Sequence, residues 1–232
     1  MEKFIEKFNI FDIFTMLLPG IAISCLYAIS LSYKLYDIWK NCGGEKYLIF
    51  FVFAYIIGLI LQEIGTILDQ KFTWRYLYGG EPRQIFLSEN YYKKIFDNEL
   101  EYKNALKIKK YLKKYVNSDT FRNENEKAQN SLMFEYCLNI CEMNGITFKA
   151  DKMLIISEMS RSICWGCIST IILNLILILF FLPCPAFLYY EIPILMAVAI
   201  IFLIRKKRYE QYRFRIMIRL FLIYIEQQPN KI

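Results

Sequence analysis

The fold is decided by residues 163–208, which read ICWGCISTIILNLILILFFLPCPAFLYYEIPILMAVAIIFLIRKKR. Two apolar runs, 163–182 and 186–204, flank a Pro-Cys-Pro break, and four consecutive cations follow the second run. About 20 helical residues cross a bilayer core of roughly 30 Å, so each run is long enough to span a membrane. We therefore predict a transmembrane hairpin in this part of the chain.

Two more apolar runs, 10–31 and 47–66, predict a first hairpin near the N-terminus. The first run has no basic n-region and no small-residue cleavage pattern, so we expect a retained helix and not a signal peptide. The predicted fold class is an all-α membrane protein with four transmembrane helices, arranged as two hairpins around a helical cytoplasmic insert. The predicted segments are the first hairpin, the insert, the second hairpin and a basic tail helix: 1–66, 67–162, 163–204 and 205–232.

The composition supports a membrane protein. Of 232 residues, 56% are hydrophobic and 22% are charged, and the mean hydropathy is +0.27. A soluble monomer could not bury this much apolar surface, so a disordered chain, a secreted disulfide scaffold and an ordinary cytosolic enzyme are disfavoured. The chain has no histidine, so the commonest general base and the HExxH zinc site are absent. We expect neither an enzyme nor a cofactor.

Charge asymmetry predicts the orientation. The connector 183–186 has no cation, whereas 205–208 is Arg-Lys-Lys-Arg. By the positive-inside rule the tail is cytoplasmic, and parity places the N-terminus and the insert on the same side. Lys34, Lys40 and Lys46 oppose this assignment, because they would lie outside. We keep it because the tail cluster is denser, and we predict a multi-pass inner-membrane protein with both termini in the cytoplasm.

The tail 205–232 is the most distinctive feature of the sequence, with eight basic and two acidic residues out of a chain net charge of +7. Helical spacing places cations on one face: Arg205, Arg208, Arg215 and Arg219. Apolar residues share another face: Phe214, Met217, Ile218, Phe221, Leu222 and Ile225. Such a helix can bind anionic membrane lipids or a cytoplasmic effector protein, or can simply pack below the bundle. A nucleotide or nucleic acid ligand is the least favoured, since GxGxxG and Walker signatures are missing.

The insert contains a second cationic stripe. Residues 100–116 have apolar side chains at helical spacing: Leu100, Ala105, Ile108, Leu112 and Val116. Lysines recur on the other face: Lys103, Lys107, Lys110 and Lys114. We expect this stripe to be a second docking surface for an acidic partner or for lipid, the alternative being a solvated helix face.

Among the polar residues within the predicted spans, we single out Glu63, Asn174 and Glu191. Ionisable residues at membrane depth are functional candidates, and these three could line an ion route in an oligomer. The alternatives are that Glu63 reaches the interface or pairs with a nearby cation, and that Asn174 joins two helices by a hydrogen bond.

Small residues and cysteines favour close helix packing. Pro19-Gly20 in the first run, and Ala54 with Gly58 in the second, allow neighbouring helices to approach closely, and they are also compatible with a homo-oligomer. Cys164 and Cys167 have CxxC spacing. Together with Cys137 and Cys141 they could form a metal or redox site, but their helical spacing favours reduced thiols packed between helices.

The sequence resembles small four-span membrane proteins of prokaryotic antiviral systems. The relevant residues are Asp12-Ile-Phe-Thr-Met-Leu-Leu-Pro19-Gly20, Ala54-Tyr-Ile-Ile-Gly58 and Gln62-Glu63, with a helical insert between two hairpins. The nearest groups are the membrane subunit of the Kiwa anti-phage system and the accessory proteins of Cas13b-type CRISPR loci. The resemblance implies an oligomeric, non-enzymatic inner-membrane component that senses infection, tethers an effector or perturbs the bilayer.

Three functions compete on these observations. The first is a membrane protein that docks a cytoplasmic effector through its insert and tail. The second is an oligomeric ion channel or pore subunit that is gated by its cytoplasmic domain. The third is an enzyme that acts on a lipid-linked substrate, and it is the weakest because no nucleophile or paired-carboxylate motif is present.

Overall fold

The computed structural model describes residues 10–41, 45–78, 80–85, 99–115, 125–180 and 185–227. The helices in chain order are α1 Ile10–Asp12, α2 Leu18–Asn41, α3 Glu45–Leu68, α4 Pro82–Ile85, α5 Glu99–Tyr115, α6 Glu126–Met143, α7 Phe148–Phe180 and α8 Phe187–Gln227. Two π-helical segments, Ile13–Leu17 and Asp69–Tyr78, lie before α2 and after α3. The described part of the chain contains no strand, which confirms the all-α class.

Four helical stretches are long and apolar enough to cross a membrane. They are Ile13–Leu31, Tyr47–Trp74, Phe148–Phe180 and Phe187–Gln227. Many of their large apolar side chains are exposed in the isolated chain, including Phe51, Val52 and Phe53, as expected of surfaces that face lipid. The predicted four spans are confirmed, and the architecture is that of a multi-pass membrane protein.

The last two long helices extend beyond the apolar runs that predicted them. The third apolar run begins at Ile163, and the sequence predicts a helix from about Ala150 that runs directly into it. Helix α7 confirms this by beginning at Phe148, since residues 148–162 include no proline or glycine that would break the helix. The fourth continues from the apolar run through the basic cluster into the tail as one helix of 41 residues. Pro193 lies inside this helix.

The chain forms two compact units. The first consists of Met1–Leu68 and Ile155–Lys207, and the second of Asp69–Leu154 and Arg208–Ile232. The predicted insert, 67–162, and the predicted tail, 205–232, are therefore mostly grouped together in the second unit. The last residues of the insert and the first of the tail belong to the first unit.

All four spans contribute to the core of the first unit. Ile23 of α2 and Leu61 of α3 cluster with α7 and α8 side chains. The buried residues from the last two helices are Cys164, Cys167, Leu195 and Ala199. Gly166 admits the side chain of Ile23, and a methyl group at this glycine would overlap it. This close approach brings α2 and α7 into direct contact.

The core of the second unit is formed by α5, α6, the start of α7 and the tail part of α8. Phe134 of α6 and Phe214 of α8 lie ring to ring, 4.7 Å between centroids. The other buried members are Ala105, Ile108, Met133, Cys137, Cys141, Ala150, Met217, Ile218 and Phe221. Aromatic and aliphatic burial of this kind supplies the main favourable free energy of folding.

Local sequence fixes both ends of α6. Asn125 caps its N-terminus, where the side-chain oxygen accepts a hydrogen bond from the Ala128 amide at 2.9 Å. Gly145 follows the C-terminus with φ +66°, a left-handed conformation that glycine adopts without strain. The amide of Ile146 then donates to the Cys141 carbonyl at 3.1 Å. The Asn144-Gly145 pair thus ends α6 at Met143.

Candidate functional site

The apolar face of the tail is buried in the second unit. Phe214, Met217, Ile218 and Phe221 are each less than 5% exposed and pack against side chains of α5 and α6. This face is therefore occupied by protein and is not a free surface that could lie in a bilayer. The tail belongs to a folded helical domain, and its polar side is the surface that can meet a ligand.

The tail arginines are divided between the two units. Arg205 belongs to the first, and its guanidinium lies 5.9 Å from the centroid of the Phe202 ring. Arg208, Arg215 and Arg219 belong to the second unit. Arg208 and Arg219 are exposed, whereas the partly buried Arg215 lies 5.6 Å from the Tyr212 ring centroid, in reach of a cation–π interaction. Three of the four predicted residues thus occur on one domain.

One member of the basic cluster is not a surface residue. Lys206 is 3% exposed, although the residues on both sides of it, Arg205 and Lys207, are more accessible. Sequence reasoning used Lys206 only as part of the topology signal and missed its burial. In a run of four charged residues on a helix, one side chain points toward the neighbouring helix. This periodicity is the only sign of the burial of Lys206 in the sequence.

The lysine stripe is largely exposed. Lys103, Lys107 and Lys110 are exposed on α5, and Lys103 lies 3.1 Å from Glu99 in an exposed ion pair. Such a pair contributes little to stability, so the stripe can exchange it for another acidic partner. The side chain of Lys114 lies outside the described residues, as does that of Leu112, and Val116 is outside altogether.

The apolar side of α5 matches the prediction in part. Ala105 and Ile108 are buried in the core of the second unit. Leu100, predicted to lie on the same face, is 62% exposed, because it is in the first turn of the helix and lies outside this cluster.

The structure joins two of the three predicted intramembrane polar residues. Asn174 is fully buried, and its Nδ2 donates to Glu191 Oε2 at 3.0 Å. Ser30, also fully buried, donates from Oγ to the same oxygen at 3.3 Å. Sequence reasoning missed Ser30, since serine is common in spans and only the tertiary fold shows that it faces a carboxylate. Glu63 is exposed on α3, and no described hydrogen bond joins it to this group.

A buried ion pair lies in the first unit. The Arg161 guanidinium contacts the Glu158 carboxylate one turn earlier on α7, and Arg161 is only 8% exposed. Gly65 of α3 faces it, and a methyl group at this glycine would come within 3.2 Å of the Arg161 and Trp165 side chains. The i, i+3 spacing was visible in the sequence, but both residues were assigned to the insert, outside the spans.

The two cysteine pairs belong to different cores. Cys164 and Cys167 lie in the first unit, whereas Cys137 and Cys141 lie in the second. Burial raises the pKa of the Cys137 thiol, and burial together with the charge of Glu142 raises the pKa of Cys141 to about 11. Because the thiolate is the reactive form, the second pair is inert at neutral pH. These observations favour packed thiols over a shared four-cysteine site.

The small residues of the first two spans pack against each other. A methyl group at Gly20 would overlap the Ala54 carbonyl, and one at Gly58 would overlap the backbone of Met16. These faces are used within the chain, so they do not support self-association.

No protein-family model matches the sequence, and neither a curated protein nor a solved structure is significantly similar to it.

Proposed function

We propose that the protein is a non-enzymatic, multi-pass inner-membrane protein that docks a cytoplasmic effector through its second unit, as a homo-oligomer in anti-phage defence. One observation carries the docking role: the insert and the tail share a core, and cations remain exposed on the resulting helical domain. The defence context rests on the resemblance in layout alone. A sensor or tether fits this arrangement better than a helix that disrupts the bilayer, because the tail's apolar face is already buried.

An acidic protein surface is the favoured ligand of this domain. An amphipathic helix binds a membrane through buried apolar area as well as charge. In the tail helix the apolar side chains are already buried in the core of the second unit. Charge alone would attract anionic lipid by about 1 kcal/mol per cation near the surface. Exposed charges at a protein interface steer association and fix specificity. Arg208, Arg219, Lys107 and Lys110 are the exposed candidates.

Charge reversal tests the docking role. The double variant Arg208→Glu/Arg219→Glu, at two exposed arginines, should lose recovery of the effector and the protective phenotype, while membrane insertion is retained. The matched control is Lys127→Glu/Lys149→Glu, which makes the same change in net charge at two exposed lysines of the same unit, outside both stripes. Equal loss in both variants, or in neither, would contradict docking through the arginines.

The orientation needs its own test. We place both termini and the second unit in the cytoplasm. Single cysteines would be introduced at Lys107 and at Ala186, both exposed, in a background without the seven native cysteines. In intact cells an impermeant reagent should label position 186 and not 107. The reverse result would place the docking domain outside the cell.

The homo-oligomer is tested by mass. In nanodiscs we expect a multiple of 27.8 kDa. A monomer across the whole concentration range would contradict this part of the proposal.

A pore subunit is the second candidate, because of the buried polar group of Ser30, Asn174 and Glu191. It predicts ion flux in proteoliposomes that contain the purified protein. An Asn174→Leu variant should lose that flux, and Glu63→Gln should retain it, since Glu63 is exposed and outside the group.

A further inference from the structure

We propose that Ser30, Asn174 and Glu191 form a binding site for one monovalent cation, Na⁺, inside the first unit. The proposal does not rest on effector docking. Its basis is a carboxylate within the membrane-spanning bundle that is approached by two fully buried polar side chains from two other spans.

The first argument is charge. Residues 163–204 contain no lysine or arginine, and Glu191 is their one acidic residue. Among the described residues none makes an ion pair with Glu191, whose partners are the neutral Asn174 and Ser30. A carboxylate in a low-dielectric bundle is costly without a counter-charge. A bound cation supplies that charge.

The second argument is an unused ligand atom. Asn174 is fully buried, and its Oδ1 has no hydrogen-bond donor among the described residues. Its Nδ2 faces the carboxylate and donates a hydrogen bond to Glu191 Oε2. Rotation of the carboxamide would turn Oδ1 toward Glu191, and the two oxygens would then hold a cation between them. The unsatisfied Oδ1 of Asn174 thus belongs to the side chain that contacts the Glu191 carboxylate, whose negative charge has no counter-charge among the described residues.

The ligand set selects the class of cation. Carboxylate, carboxamide and hydroxyl oxygens are hard ligands, which suit alkali and alkaline-earth ions and not zinc or copper. A single carboxylate gives one negative charge, which one monovalent ion neutralises. Pro193 has no amide hydrogen, so the carbonyl of Tyr189, one turn before it, lacks its helical donor. Backbone carbonyls released in this way are further Na⁺ ligands in membrane proteins.

The position of the site predicts the side from which the ion enters. Glu191 precedes Arg205 by 14 residues on α8, which is about 21 Å of helix. With the basic cluster at the cytoplasmic surface, the site lies in the outer half of the bilayer. It would exchange Na⁺ with the outside of the cell.

The test uses the purified full chain in detergent. Binding of radiolabelled Na⁺ and the melting temperature would be measured in NaCl, KCl and N-methylglucamine chloride at equal ionic strength. We expect about one Na⁺ per chain and a saturable rise in melting temperature of about 5 °C in NaCl. Glu191→Gln, Asn174→Leu and Ser30→Ala should each weaken binding at least tenfold.

A matched control is available in the same bundle. Ser169→Ala removes a hydrogen bond between spans, Tyr27 Oη to Ser169 Oγ at 2.7 Å, and leaves the site intact. This variant should bind Na⁺ as the wild type does. If Ser169→Ala loses Na⁺ binding to the same extent as the site variants, the loss in all of them comes from a less stable bundle. That result would overturn the proposal.

Two other results would also overturn it. If wild type binds no Na⁺ and Glu191→Gln is more stable than wild type, no bound cation compensates the Glu191 carboxylate. Lys34 follows Ser30 by one helical turn in the sequence, and its side chain lies outside the described residues. If Na⁺ binding appears only in Lys34→Gln, that lysine is the counter-charge. Measurement of Na⁺ binding to the wild type tests the proposed site even if one of the variants fails to fold.

Discussion

Gly20 and Ala54 bring the backbones of the first two spans into direct contact, because a methyl group on Gly20 would overlap the Ala54 carbonyl oxygen. Gly58 makes the reciprocal contact with the backbone of Met16. In a membrane, where burial of apolar surface drives helix association only weakly, such close backbone packing holds a hairpin together. Any homo-oligomer must therefore use other faces of the bundle.

Replacement of Gly20 by leucine should separate the first two helices. The new side chain would meet backbone atoms, which cannot move aside as a flexible side chain can, and we expect a loss of at least about 2 kcal/mol of stability. Ala22→Leu is the control, since Ala22 is exposed on the same helix two residues later. Thermal aggregation followed by size-exclusion chromatography measures both. Similar melting of the two variants would mean that the close contact is not present in the membrane.

The buried Glu158–Arg161 pair should be more sensitive than an exposed carboxylate of the same unit. Glu158→Gln leaves the Arg161 guanidinium buried without this counter-charge, and removal of one partner of a buried pair costs about 3–5 kcal/mol. Glu63→Gln, at an exposed position of the same bundle, should cost less than about 1 kcal/mol.

Chemical denaturation in detergent would compare the stability of Glu158→Gln and Glu63→Gln with that of the wild type. A small effect of Glu158→Gln, equal to that of Glu63→Gln, would show that water reaches the Arg161 side chain in the folded protein.

Hydropathy could predict the spans but not the lengths of the helices. The runs 163–182 and 186–204 marked the membrane segments, because apolar length alone determines them. Helices α7 and α8 continue into polar sequence, where nothing in residues 148–162 or 205–227 stops them. Arg161 was consequently assigned to the insert, although it is buried in the first unit.

Tertiary contacts account for the rest of what sequence could not predict. The helical spacing of apolar and basic residues identifies the tail as amphipathic. Its apolar face could pack equally well against a bilayer or in a protein core. Contacts such as that of Phe214 with Phe134 show that the tail's apolar face packs in a protein core. Ser30 was likewise missed, because its importance lies in its distance to Glu191, 161 residues away in sequence.

The thiol of Cys141 should be unreactive at neutral pH. Its pKa is raised from 9.0 to about 11 by burial and by Glu142, so at pH 8 its thiolate fraction is about 100-fold below that of an ordinary thiol. A chain with Cys141 as its single cysteine should react with a methanethiosulfonate at least about 100-fold more slowly than a chain with Glu142→Cys as its single cysteine, since position 142 is exposed.

The same shift predicts how stability depends on pH. The raised pKa means that the unfolded chain releases the Cys141 proton first, so this contribution to stability is complete below pH 9 and is lost as pH rises from 9 toward 11. Replacement of Cys141 by alanine should flatten the decline in that range. An unchanged slope between wild type and Cys141→Ala would contradict the shift.

The tail should stabilise the second unit through its apolar face. Phe221 is fully buried, so Phe221→Ala should cost about 3–5 kcal/mol, whereas Ile223→Ala, at a half-exposed side chain two residues later, should cost less than about 1 kcal/mol. Hydrogen exchange of the α6 amides measures the effect in a different part of the chain. We expect Phe221→Ala to accelerate their exchange and Ile223→Ala to leave it unchanged. If α6 kept its protection in Phe221→Ala while binding to anionic vesicles fell, the tail would be a membrane helix, and the docking domain would have to be sought in α5 and α6 alone.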